Sequence, residues 1–158
     1  MNQQVASSDL EELSAELVQC LGRLTRTITR ESVGLSTSVA AASLRLLSQI
    51  DELEPVSIGA LAVADHCSQP TMSAGISGLV ESGWATKRPN PADARSHLVT
   101  LTGDGRRVLR QARRERAAVV AARLRADTRH DERDLATTVS VLRGLLEQHQ
   151  TTDVEGSR

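Results

Sequence analysis

Between Trp84 and Arg116 the chain carries nine Lys or Arg and three Asp or Glu, a local balance of +6. The first 83 residues carry four Arg against ten acids, a balance of −6, and the whole chain of 158 residues sums to −1. A basic segment set into an otherwise acidic chain is suited to meeting a polyanion, because each Lys or Arg that neutralises a phosphate releases counterions. The same run also serves as a solvated helix face, the blander reading. Lys87, Arg88 and Arg95 cluster around Pro89-Asn90-Pro91-Ala92-Asp93, whose proline and Asx content reads as a turn-rich loop. Other chemistries find little support. His66, His97, His130 and His149 are scattered with no His-x-x-x-His pair, and there is no Gly-rich phosphate loop. His66-Cys67 is two adjacent donors without a second pair, so no metal or cofactor is expected. One Trp with no Tyr or Phe excludes an aromatic platform for single-stranded nucleic acid and argues against a β-sandwich or barrel.

Cys20 and Cys67 form no C-x-x-C motif and no disulfide framework. The N-terminus, MNQQVASSDLEE, is polar and acidic rather than a signal peptide, and the longest apolar run is Ala117–Ala122. A soluble, cytoplasmic chain with no membrane partner is expected.

The elements that must position the basic cluster are mostly helical. Ser8 and Glu11 have capping-box spacing, and Leu10, Leu13, Leu17, Cys20 or Leu21, Leu24 and Ile28 recur as a narrow seam that wants a partner helix. Gly34 breaks the pattern. Ser36 or Ser38 caps a second helix through Ile50, with Val39, Leu44, Leu47 and Ile50 inward, before a polar break over Asp51–Pro55. Val56 adds a short strand, and Ser57 caps a short third helix ending near Asp65. Ser68-Gln69-Pro70 starts a fourth, with Met72, Ile76, Leu79 and Val80 on one face and Gly83 as the stop. Its other face, Gln69, Thr71, Ser73, Ala74, Ser77 and Gly78, is small and uncharged, which lets a backbone come close to something. Trp84–Arg88 and Ser96–Leu101 read as strands, and Trp84 as a core residue at the root of the hairpin. Thr102 caps a long helix to about Arg125, and Asp131 caps a last one with Leu135, Val139, Leu142 and Leu146 at i, i+4, i+7 and i+11, a second apolar stripe that a lone winged helix cannot cover. The tail from Thr151 is expected to fray.

Two short helices joined at Asp65-His66-Cys67 and followed by a basic hairpin have the order of a winged helix-turn-helix. Its second helix can enter the major groove while the wing neutralises phosphates. The run Asp93-Ala94-Arg95-Ser96, a strand, then Leu101-Thr102-Gly103-Asp104-Gly105 resembles the wing signature of the MarR family of bacterial transcriptional regulators. Leu79-Val80-Glu81-Ser82-Gly83-Trp84 with Arg88-Pro89 resembles the end of the family's recognition helix and its first wing strand, and Ile58-Gly59-Ala60-Leu61-Ala62 the start of its helix-turn-helix. The resemblance implies a mainly α fold with a small β-hairpin wing. It implies one MarR-like domain over 1–158, with a winged helix-turn-helix at about 35–102 flanked by dimerisation helices at about 9–33 and 103–149.

It further implies a homodimer that binds double-stranded DNA, with a pseudo-palindromic operator, and a repressor relieved by a small anionic or aromatic effector. Arg95 matches the wing arginine that contacts DNA, and Asp93 the residue that holds the wing; Thr71 and Ser73 match DNA-facing positions of the recognition helix. The family commonly has Arg where this chain has Ala74, and often a basic residue at Gly78, so this recognition helix carries no Lys or Arg. The DNA-binding candidates are therefore Ser68, Gln69, Thr71, Ser73, Ala74, Ser77, Lys87, Arg88, Asp93, Arg95, Ser96 and His97. Arg23, Arg26 and Arg45 are candidates to meet an anionic effector. Two alternatives stand beside this reading. Some members sense peroxides through a first-helix cysteine, which here would be Cys20, although the tyrosines those sensors use are absent. A winged helix can also serve only for protein–protein contact.

Overall fold

The structure, a computed structural model, describes residues 2–32 and 39–155, with side chains over 9–32 and 39–147 apart from that of Ala94. The order is α1 (Asn2–Ser32), α2 (Ala41–Leu53), β1 (Val56–Ser57), α3 (Ile58–Ala64), α4 (Gln69–Glu81), β2 (Ala85–Asn90), β3 (Asp93–Leu101), α5 (Gly103–Ala126) and α6 (Glu132–Glu155). The chain divides into two compact units, Met1–Ala117 and Ala118–Arg158. No helix among the described residues is long and apolar enough to cross a membrane.

In the first unit the apolar stripes meet as their periodicity requires. Leu44, Leu47 and Ile50 of α2, Leu61 of α3, Met72, Ile76 and Leu79 of α4, and Val99 and Leu101 of β3 are buried in one cluster. Leu46 joins them, while Val80 is left exposed. Gly75 lets α4 approach α2: a Cβ there would lie 2.7 Å from Leu46 Cδ1. Ser57 caps α3 by accepting from the Ala60 amide at 3.1 Å. The strands pair antiparallel in the order β1-β3-β2, with Val56 opposite Val99 and Ala85 opposite Leu101.

Several boundaries differ from the sequence expectation. The first helix starts at Asn2, so Ser8 is an interior position; residues 2–7 contain neither Gly nor Pro, and nothing stops the helix earlier. Gly34, Ser36 and Ser38 lie outside the described residues, and α2 starts after Ala40 without a side-chain cap. That helix also runs through the expected break to Leu53. The wing hairpin is longer and tighter than a turn-rich loop suggests. Pro89 and Asn90 belong to β2, β3 begins at Asp93, and only Pro91 and Ala92 form the turn. Proline is tolerated because β2 is an edge strand. The Asx side chains do the turning: Asn90 Oδ1 accepts from the Ala92 amide and Asp93 Oδ1 from the Arg95 amide, both at 3.0 Å. Likewise α6 continues past Thr151, where no Gly or Pro intervenes, to Glu155.

The root of the wing is tied to α5 by backbone. Gly83, at φ 74°, turns the chain out of α4. The Thr102 amide donates to the Trp84 carbonyl at 3.0 Å. The Thr102 hydroxyl donates to the Gly83 carbonyl at 2.7 Å and accepts from the Gly105 amide at 3.0 Å. A Cβ at Gly105 would lie 2.0 Å from the Trp84 carbonyl oxygen, so this contact requires glycine. Trp84 itself is half-buried against the core. Beside this contact, Glu54 Oε2 accepts from the Leu101 amide at 2.7 Å, and Glu54 Oε1 pairs with Arg106. Arg113 pairs with Asp51 at 2.8 Å. The hydrogen bond to Glu54 raises the Arg106 pKa above its ordinary value.

In the second unit Asp131 caps α6, accepting from the Arg133 and Asp134 amides at 2.8 and 3.2 Å. Asp127 is held to a pKa of about 2 by its hydrogen bonds from His130 and the Arg129 amide. On the α6 stripe Leu135, Val139 and Leu146 are exposed, Leu146 at 72%. In the first unit the α1 seam is equally bare, with Leu10 at 66% and Leu13 at 64%.

Two substitution series check this packing by urea unfolding. Gly105→Ala is expected to cost about 3 kcal/mol by overpacking against a backbone carbonyl. Gly78→Ala, where a Cβ meets nothing within 4 Å, should gain about 0.5–1 kcal/mol from helix propensity. Glu54→Ala should cost about 2 kcal/mol by orphaning the Leu101 amide and Arg106, and Glu54→Gln, which keeps an acceptor, should cost less. An unchanged midpoint for Gly105→Ala would contradict the close approach.

Candidate nucleic-acid interface

Helix α4 begins with a built cap. Ser68 accepts from the Thr71 amide at 3.3 Å, its hydroxyl lies 2.8 Å from that of Thr71, and Pro70 occupies the first turn, where its missing N–H costs nothing. Burying Met72, Ile76 and Leu79 turns Thr71, Ala74 and Gly78 to solvent, with Ser73 and Ser77 half-buried at the margin. The Ser77 hydroxyl donates back to the Ser73 carbonyl at 2.9 Å.

The wing strand comes alongside the start of this helix. Gln69, Pro70 and Ser73 of α4, Arg95, Ser96 and His97 of β3, and Ile58 and Gly59 of α3 line one open groove of about 330 Å³. Five of the residues singled out from the sequence thus converge, although Gln69 and His97 are 28 positions apart. Gln69 and Ser73 offer neutral donors and acceptors, Arg95 a planar cation, and the first turn of α4 its unpaired amides. Ser68 and Thr71 sit at the mouth of that turn, engaged with one another. Ile58, Gly59 and Pro70 mark helix starts in the sequence but were not among the DNA-binding candidates, having no polar side chain to mark them.

The other candidates have distinct places. Asp93 binds the Arg95 amide rather than its guanidinium. Ser96 donates to the Asp93 carbonyl and accepts from Asn90 Nδ2 at 2.9 Å. Arg88 is exposed, opposite Leu98. Lys87 alternates to the same sheet face as buried Ala85, and its ammonium donates to Ser77 Oγ of α4 at 3.1 Å. Among the effector candidates, Arg45 is committed to Asp65 at 2.9 Å, a carboxylate that Gln49 also binds. Arg23 and Arg26 are exposed on α1. Cys20, expected on a packed seam, is exposed, whereas Cys67 is half-buried against the core. No group of three or more metal-ligating side chains occurs among the described residues.

A second, smaller cavity of about 50 Å³ lies between the end of α1, the start of α2 and α5. Glu115 lines it, 9% exposed, with Gln111 donating at 2.9 Å. A buried carboxylate there was not expected. Its signal was its place three residues after Ala112, on the buried stripe that also holds Gly105 and Leu109.

The family model that matches the chain is that of the MarR family, over residues 40–97, which spans α2 to the wing. An uncharacterised HTH-type transcriptional regulator of Mycobacterium bovis is 28% identical over 130 residues, covering 82% of this chain and 89% of its own. A putative transcriptional regulator of Pseudomonas aeruginosa superposes with a TM-score of 0.66 at 27% identity, covering 88% of this chain and 94% of its own. The crystal structure of MarR gives a TM-score of 0.69 at 18% identity, over 89% of this chain and 93% of its own. The wing signature and the helix-turn-helix agree with these likenesses: residues 40–97 match the MarR family, and the chain shares the winged-helix fold of the transcriptional regulators it resembles.

Proposed function

We propose that this regulator acts as a homodimeric, effector-relieved repressor on a pseudo-palindromic duplex site, with the groove between α4 and β3 as its DNA-binding surface. The carrying observation is the convergence of Gln69 and Ser73 with Arg95, Ser96 and His97 on that groove. Base edges would be met by the small polar face at the start of α4, the part of a recognition helix that reaches them. Phosphates would be met by Lys87, Arg88 and Arg95. Without an arginine on α4, bidentate guanine recognition from that helix is missing, so modest sequence discrimination is expected.

The exposed apolar stripes of α1 and α6 support self-association, since contiguous apolar surface of this kind marks an interface. A twofold dimer would present two recognition helices, with half-sites about one helical turn apart. The cavity at Glu115 lies in the unit that carries the groove, and a ligand that enlarges it would act on α5, which is tied to the wing root through Gly105 and Arg106. A thiol-switch reading is favoured by one observation, the exposure of Cys20. Under it, peroxide weakens DNA binding in the parent chain and not in Cys20→Ser.

Fluorescence anisotropy on random duplex, at several salt concentrations, tests the surface. Arg95→Ala is expected to weaken binding to random and preferred duplexes alike and to lower the log–log salt slope by about 0.9 per lost contact. Unchanged affinity and slope would favour a winged helix used for protein contact. Light scattering tests the assembly. The full chain is expected to be a dimer at micromolar concentration, and Leu10→Glu with Leu13→Glu should shift it toward monomer with a parallel loss of DNA affinity. A stable monomer of the parent chain would refute this part.

A further inference from the structure

We infer that Lys87, a wing residue, acts as the cation of the recognition helix, held on its surface by Ser77 so that it meets a DNA phosphate at the wall of the groove. This rests on the DNA-binding reading above and specifies how the uncharged α4 is seated. Three observations carry it. Helix α4 has no Lys or Arg over Gln69–Glu81, and Ala74 and Gly78 on its exposed face are small. Lys87 Nζ lies 3.1 Å from Ser77 Oγ, on the margin of that same bare face. Ser77 is free to accept because its own proton is directed to the Ser73 carbonyl at 2.9 Å.

The chemistry follows from the count of donors. An ammonium has three N–H groups, and this contact uses one. Ser77, which holds the ammonium, stands about 6 Å along the helix axis beyond Ser73, which lines the groove. Residues in the first turn of a recognition helix meet base edges, and those further along meet the backbone. A phosphate at this place would fix the depth and register of α4 in the groove, which is what backbone contacts do. Ser77 is then a positioning residue: it orders the lysine before DNA arrives and lowers the cost of ordering it on binding. Lys87 lies on the sheet face of Ala85 and opposite buried Val99, so its stem is directed toward α4, whereas Arg88 points away. The two adjacent cations have separate tasks.

The test is a set of salt titrations of the full chain on two duplexes, one random and one selected by the protein from a randomised pool, with thermal melts confirming that each variant folds. Lys87→Met is expected to lower the log–log salt slope on both duplexes by about 1.8 for a dimer, two phosphates at about 0.9 each. Gly78→Lys placed in that background, where a side chain meets nothing within 4 Å, should restore the slope by putting a cation directly on α4. Ser77→Ala keeps the charge and should keep the slope, but should lower the ratio of selected to random affinity several-fold, and Ser77→Thr should recover that ratio. The inference is overturned if Lys87→Met leaves the slopes unchanged, if Gly78→Lys fails to restore them, or if Ser77→Ala leaves the ratio intact. A parent chain that binds neither duplex would instead remove the DNA-binding reading itself.

Discussion

Where Gly105 meets the carbonyl of Trp84 there is no room for a methyl group, and this backbone contact fixes how the first turn of α5 sits on the root of the wing. Thr102 completes it with bonds to Gly83, Trp84 and Gly105, so the end of α4, the start of β2, the end of β3 and the start of α5 share one knot of main chain. Glu54 adds a carboxylate that accepts from Leu101 and pairs with Arg106, which brings the end of α2 into the same place. A rigid root means that Arg95, Ser96 and His97, well out along the hairpin, still arrive beside the start of α4. The glycine and threonine of the L-T-x-x-G pattern therefore have a packing reason that is separate from DNA contact.

Electrostatics and shape are divided between two elements. Helix α4 contributes a close-fitting face: small residues, two hydroxyls at its margin and no charge. The hairpin contributes the cations, and its parity sends them in opposite directions, Lys87 toward α4 and Arg88 to solvent. The strongly basic appearance of the stretch after Arg106 has a different origin. Arg106 and Arg113 are spent on Glu54 and Asp51, and Arg107 on Asp104. Arg106 and Arg113 thus tie α5 to α2, while Arg110 and Arg114 of α5 are exposed without an ion pair among the described residues, as Arg88 of the wing is.

The fold was largely legible from the sequence because its signals are local. Ser57, Ser68, Thr102 and Asp131 each cap the helix they precede, and Gly83 ends α4 in the left-handed conformation that favours glycine. The errors came where a signal was local but the outcome was not. The prolines around Asn90 read as a loop, yet an edge strand accepts them and Asx bonds close the turn. The stripes of α1 and α6 are a different case: their periodicity reads as faces that want a partner, and their large apolar residues are exposed. At the candidate site, residue types were readable and contacts were not. Nothing in the spacing of Ser77 and Lys87, ten positions apart across a glycine turn, announces a hydrogen bond. Nor does composition show that Arg45 is held by Asp65.

In the proposed reading, DNA is met by the groove between α4 and the wing. Amide hydrogen exchange of the full chain, with and without saturating duplex, tests it most directly, because protection is read segment by segment. New protection is expected over residues 69–77 and 87–97, with α6 unchanged. Protection confined to α6, or none on α4 and the wing while duplex is bound, would contradict it.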